Sequence, residues 1–138
     1  MTAPNVPNAS PRPYPPVAFA SVREQARWRS TWAWTLAVST VSAALIWALS
    51  PLLAGHREPW DADGPYYVLA LVVAGAAAGV LAPRPWWAHY LGAWLGQLLF
   101  QILFLPIGSL LVLGAILLLG YSAIFALGAK LAARAVSR

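Results

Sequence analysis

Residues 86–127 read WWAHYLGAWLGQLLFQILFLPIGSLLVLGAILLLGYSAIFAL, without a single Asp, Glu, Lys or Arg. One crossing of a bilayer takes about 20 apolar residues, so this stretch is long enough for two. Pro106-Ile107-Gly108, close to its middle, offers the only good turn. A single kinked helix of this length would project far outside the hydrocarbon. The spacing therefore predicts two spans, over 86–105 and 110–129.

Two more spans lie upstream. Trp32 to Leu53 is apolar over about one membrane thickness, with Pro51 near its end and Gly55 just beyond to stop it. A polar loop, His56-Arg57-Glu58-Pro59-Trp60-Asp61-Ala62-Asp63-Gly64-Pro65, separates it from a shorter apolar run over 66–82. Pro83-Arg84-Pro85 leaves room for only a tight connection before Trp86. Ser21-Val22-Arg23-Glu24 has the form of a capping box, and the helix formers after it predict a short interfacial helix running into the first span. Residues 1–20 hold Pro4, Pro7, Pro11, Pro13, Pro15 and Pro16, the composition of a disordered or polyproline-like tail. They lack the basic start and short apolar core of a secretory signal. Residues 132–138 form a basic tail. The expected fold is thus all-α and integral to a membrane: four transmembrane helices, 21–131, between two tails.

Composition agrees. Of 138 residues, 60% are hydrophobic and 9% charged, against about 25% charged in a soluble domain. The chain has no cysteine. A disulfide scaffold is excluded, and a soluble enzyme or nucleic-acid-binding module nearly so.

The charges orient the spans. Arg12, Arg23, Arg27 and Arg29 precede the first span, Arg84 lies between the second and third, and Lys130, Arg134 and Arg138 follow the fourth. An even number of crossings puts these eight on one side and leaves Arg57 on the other, with Glu58, Asp61 and Asp63. Basic residues accumulate on the cytoplasmic side, so both termini are expected there. Trp28, Trp32, Trp34, Trp86 and Trp87 would form the inner aromatic belt, and Trp60, Tyr66 and Tyr67 the outer one. Arg23, Arg27, Arg29, Arg84, Lys130 and Arg134 make a cationic rim suited to anionic lipid headgroups. Eight arginines against one lysine, with abundant alanine, suggest a bacterial gene rich in G+C and hence a bacterial inner membrane.

No ionisable carboxylate, Lys or Arg falls within a span, which argues against a proton-coupled pump. The third span does carry His89, Gln97 and Gln101 at spacings of eight and four, along one drifting helix face. An amide in hydrocarbon must be hydrogen-bonded, so this face is expected to meet protein, as interhelical glue or as the lining of a polar path. Gly92 and Gly96 beside it, and Gly75 and Gly79 in the second span, form GxxxG pairs that permit close backbone approach. Thr31, Thr35, Ser39 and Ser42 give the first span a similar seam. Whether these seams meet the same chain or another is open at this stage.

Cofactors, metals and catalysis are not expected. His56 and His89 fall near opposite faces of the membrane, so one chain cannot offer both to a heme iron. His56, Glu58, Asp61 and Asp63 cluster in the outer loop, but Asp61-Ala62-Asp63-Gly64 lacks the later ligands of a calcium loop. A solvated or partner-docking loop is the simpler reading. No nucleophile–base pair or phosphate-binding glycine loop occurs. The expected role is a small non-enzymatic subunit or scaffold of a larger membrane complex, in contact with lipid and with other subunits or itself. A homo-oligomeric channel or carrier lined by Gln97, Gln101, Ser39 and Ser42 is the second possibility. An anchor or sensor recruiting a partner through its proline-rich tail is the third.

Overall fold

The computed structural model describes residues 17–106, 108 and 111–137, and for residues 17–30 the helical backbone alone. The described residues form four α-helices and no strand: α1 (Val17–Leu53), α2 (Tyr66–Leu81), α3 (Trp86–Phe104) and α4 (Leu111–Val136). A three-residue 3-10 turn, Pro59–Asp61, interrupts the α1–α2 loop.

The boundaries of α2 and α3 lie within one residue of those expected, because proline punctuates both. The other two helices are longer. α1 begins at Val17, so Ser21 sits inside a helix and not at its cap, and residues 17–20 are helical instead of part of the tail. It also passes through Pro51. A proline there gives up its own bond to the carbonyl four residues back and crowds that carbonyl, a disturbance confined to the last turn of the helix. Gly55 makes the stop, with a φ of 74° that L side chains rarely adopt. α4 continues to Val136, well past residue 129, since Ala132, Ala133 and Ala135 are good helix formers and a charge does not end a helix. Arg134 in its last turn favours the negative end of the helix dipole. Most of the predicted basic tail is therefore helix. The tail over residues 1–16, the side chains of the Ser21–Glu24 box, Trp28, and the rim residues Arg23, Arg27 and Arg29 lie outside the described residues.

α1 packs chiefly on α3, and α2 on α4; α3 also meets α4, and α1 meets α2. Around the bundle the order is α1, α3, α4, α2. The short Pro83–Pro85 link thus joins helices on a diagonal, which barely touch along their lengths. Glycine explains the pairing. A Cβ on Gly92 would lie 2.7 Å from the Leu36 carbonyl oxygen, and one on Gly96 3.1 Å from the Thr40 Cα. On the other pair, a Cβ on Gly79 would lie 2.7 Å from the Ala129 Cα, and one on Gly75 3.2 Å from the Phe125 Cα. Gly128 returns the approach, its missing Cβ facing Val72. Both seams are internal to the chain. Positions rise together on the two partners (75 with 125, 79 with 129; 92 with 36, 96 with 40), so each pair of helices runs parallel.

Two ends result: a loop end carrying the α1–α2 loop and the α3–α4 turn, and a link end carrying Pro83–Pro85 and the C-terminus. The core includes Ala43, Ile46, Trp47, Leu71, Leu118 and Phe125. Near the loop end Trp47, fully buried, meets Trp60 edge-on at 4.8 Å and Tyr67 at 6.4 Å, while Tyr67 lies 4.5 Å from Tyr121. Trp60 and Tyr67 were expected in an outer belt. They turn inward, because the 3-10 turn folds Trp60 back over Trp47 and Tyr67 has a buried acceptor to reach. Trp32, Trp34, Trp86 and Trp87 at the link end are exposed, with Trp32 and Trp87 6.1 Å apart.

Candidate functional site

The third helix carries its polar residues where the sequence put them, on the face turned to protein: His89, Gln97 and Gln101 are all buried. Two of the three are closed within the bundle. The Nε2 of His89 lies 2.8 Å from the carbonyl oxygen of Ala82, at the end of α2, and Nδ1 lies 2.8 Å from Ser39 Oγ on α1. A carbonyl can only accept, so Nε2 carries the hydrogen, and Nδ1 of the neutral ring accepts from the Ser39 hydroxyl. Nearby, the Thr35 hydroxyl reaches both Thr31 O, at 2.9 Å, and Arg84 O in the link. These bonds fasten the link end across α1, α2 and α3.

Gln97 does the same at mid-bundle. Its Oε1 accepts from the Tyr67 hydroxyl of α2, and its Nε2 donates to Ala93 O at 3.0 Å and to Ser122 Oγ of α4 at 3.1 Å. The Ser122 hydroxyl in turn donates to Leu118 O at 2.6 Å. Long polar side chains thus bridge the diagonal that the helix backbones leave open. Trp94 adds a bond from its indole N–H to Ala115 O, 3.1 Å away on α4.

Gln101 differs. It is 7% exposed, yet its Oε1 is buried without a hydrogen-bond partner. It lines a cleft of about 460 Å³ at the loop end, between α3 and α4, together with Glu58, Trp60, Gly114, Leu113 and Leu117. The space beside the amide exists because residue 114 has no side chain: a Cβ there would lie 3.6 Å from Gln101 Oε1 and 3.7 Å from the Trp60 ring.

Of the four side chains expected along a solute path, Gln97 and Ser39 are thus bonded within the bundle, Ser42 is half-buried, and Gln101 lines the cleft. Gly75, Gly79, Gly92 and Gly96 all sit in the seams described above. Among the rim residues described, Arg84, Lys130 and Arg134 converge on a second cleft, at the link end. Among the described residues, no three of the His, Asp and Glu side chains come together as metal ligands would.

Trp47 and Ser122 were not singled out from the sequence, and Tyr67 was named only as part of the outer aromatic belt. Ser122 is a lone hydroxyl in an apolar run, and nothing local distinguishes it. Tyr67 had a signal that misled, since a tyrosine at a span boundary is ordinarily interfacial. Compared with known proteins, the chain matches no family model, no curated protein and no solved structure.

Proposed function

We propose that this chain is a four-span integral protein of a bacterial inner membrane, both termini cytoplasmic, acting as a non-enzymatic accessory or scaffold subunit of a larger membrane assembly. Two helices, Thr31–Leu53 within α1 and Leu111–Val136, are long and apolar enough to cross a membrane, and at most 33% of each apolar window is buried. The core helix of a soluble protein would be mostly covered. Large apolar side chains such as Leu52, Val73, Leu103 and Val112 instead stand outward. The register of the seams supports four crossings over two. α3 runs parallel to α1 and α2 parallel to α4, each locked at the depth of a helix able to span. At 16 and 19 residues, α2 and α3 measure about 24 and 28 Å, close to the hydrocarbon thickness of about 30 Å. The orientation rests on the basic residues, Arg84, Lys130 and Arg134 at the link end against Arg57 alone in the α1–α2 loop. With no native cysteine to interfere, Asp63→Cys is expected to react with an impermeant thiol reagent on intact cells. Reaction only after lysis would overturn the orientation.

The subunit role rests on Gln101. An unpaired buried amide is costly; His89 and Gln97 are paired internally, and of the described buried side-chain atoms without a partner (Trp47 Nε1, Ser50 Oγ and Gln101 Oε1) that of Gln101 belongs to a residue lining the loop-end cleft. A group on a neighbouring subunit, entering the loop-end cleft, completes the Gln101 amide. A photo-crosslinking side chain in place of Leu117, in the cleft, is expected to give one discrete protein adduct in native membranes. The same group in place of Leu69, equally outward-facing (52% against 55% exposed) but on α2, gives lipid adducts alone. No discrete adduct, with a lone monodisperse monomer in mild detergent, would remove the subunit reading.

A further inference from the structure

We propose that the link end binds one anionic phospholipid, its phosphodiester held by Arg84, Lys130 and Arg134 and one acyl chain laid along α3 and α4. The proposal rests on the membrane reading above. Its first support is convergence. Arg84 comes from the α2–α3 link, and Lys130 and Arg134 from one face of α4, four residues apart. All three line a single cleft of about 450 Å³ with Trp86 and Pro85. Among the described residues no acidic side chain lines it, and the described carboxylates, Glu58, Asp61 and Asp63, belong to the α1–α2 loop at the other end. The placement is built. The Arg84 carbonyl is tied to Thr35, and Lys130 Nζ stands 5.9 Å from the centroid of the Trp86 ring. His89 also borders the cleft, but both its ring nitrogens face Ala82 and Ser39, which leaves the three cations as the recognising groups.

The second support is what adjoins the cleft. A groove of about 350 Å³, lined by Tyr90, Ala123, Ala126 and Leu127, shares Trp86 and Lys130 with it and runs down the α3–α4 surface into the apolar zone. A soluble phosphate needs the cations alone. A charged cleft opening into an apolar groove at the membrane boundary matches a molecule with an anionic head and a hydrocarbon tail. Guanidinium groups pair with phosphate oxygens through two N–H donors, and basic pockets between helices on the cytoplasmic side suit anionic headgroups. Ala123 is small and exposed, which keeps the groove open.

The test uses the full chain in detergent micelles supplied with equal mole fractions of phosphatidylglycerol and phosphatidylcholine, read by native mass spectrometry. Wild type is expected to retain one phosphatidylglycerol with about tenfold or greater preference. Arg84→Gln/Lys130→Gln/Arg134→Gln loses the preference. Ala123→Trp, which fills the groove and leaves every cation in place, lowers phosphatidylglycerol retention several-fold. Equal retention of the two lipids by wild type overturns the proposal without requiring any variant to fold. Displacement of the lipid by millimolar inorganic phosphate, with Ala123→Trp behaving as wild type, also overturns it and identifies a site for free phosphate. Carbonate extraction and Asp63→Cys labelling separate the failures. A protein that resists extraction and labels from outside, yet shows no lipid preference, loses this proposal and keeps the membrane reading.

Discussion

Gly79→Ala is expected to destabilise this protein in detergent by about 3 kcal/mol, although it adds a single methyl group. The new Cβ would meet the backbone of α4, 2.7 Å from both the carbonyl carbon and the Cα of Ala129. Backbone cannot rotate away as a side chain can. α2 and α4 must separate, and the separation would loosen the contacts of Gly75 and Gly128 along the same seam. Overpacking a well-packed core costs about 1–3 kcal/mol and occasionally more, and a rigid obstacle places this substitution at the upper end. Gly96→Ala, facing the Thr40 backbone on the other seam, should behave alike. Gly120→Ala is the control, because nothing lies within 4 Å of its added Cβ. There the gain in helix propensity, about 1 kcal/mol at most, makes the change neutral or mildly stabilising. Thermal denaturation followed by size-exclusion chromatography distinguishes them. Equal melting of Gly79→Ala and Gly120→Ala would mean that α2 and α4 do not pack as described.

The second large effect is expected at Gln97, and its size depends on the residue at position 67. Gln97→Leu keeps the volume but removes the acceptor of the buried Tyr67 hydroxyl. Ser122 keeps its bond to Leu118 O, so Tyr67 is the group left unpaired. An orphaned buried donor costs about 1–3 kcal/mol, whereas replacing both partners by apolar groups of similar shape is nearly neutral. The double variant Gln97→Leu/Tyr67→Phe is therefore expected to be more stable than Gln97→Leu alone, recovering most of the loss. A double variant no better than the single would show that the two side chains are not coupled. The same variants separate glue from pathway. If Gln97 lined a solute route, Gln97→Leu would abolish flux in proteoliposomes while leaving the melting temperature in place.

The sequence by itself determined where the helices lie. The uncharged run over 86–127, the prolines at 83, 85 and 106 and the placement of Arg57, Arg84, Lys130 and Arg134 are local or one-dimensional facts, and each maps directly onto an element boundary or an end of the bundle. It also marked the residues that must meet protein, because a glutamine in an apolar helix and a GxxxG pair are costly or purposeless unless something packs on them. The longer reach of α1 and α4 was illegible for a related reason. Ser21 was read as a cap and the charge at Lys130 as a stop, yet the chain is helical from Val17 and on through the alanine-rich segment to Val136, while α1 ends at the expected Leu53.

Only the tertiary structure decided which helices pair. Every apolar helix face looks much alike in sequence, and chain order favours neighbours, which would have set α3 against α2. Glycine seams chose otherwise: backbone-to-backbone contact requires two surfaces whose small residues coincide in depth, and α1 with α3 and α2 with α4 meet that condition. That arrangement alone brings Tyr67 to Gln97 across the diagonal, leaves Gln101 facing a cleft, and gathers Arg84, Lys130 and Arg134 into one site from positions up to 50 residues apart.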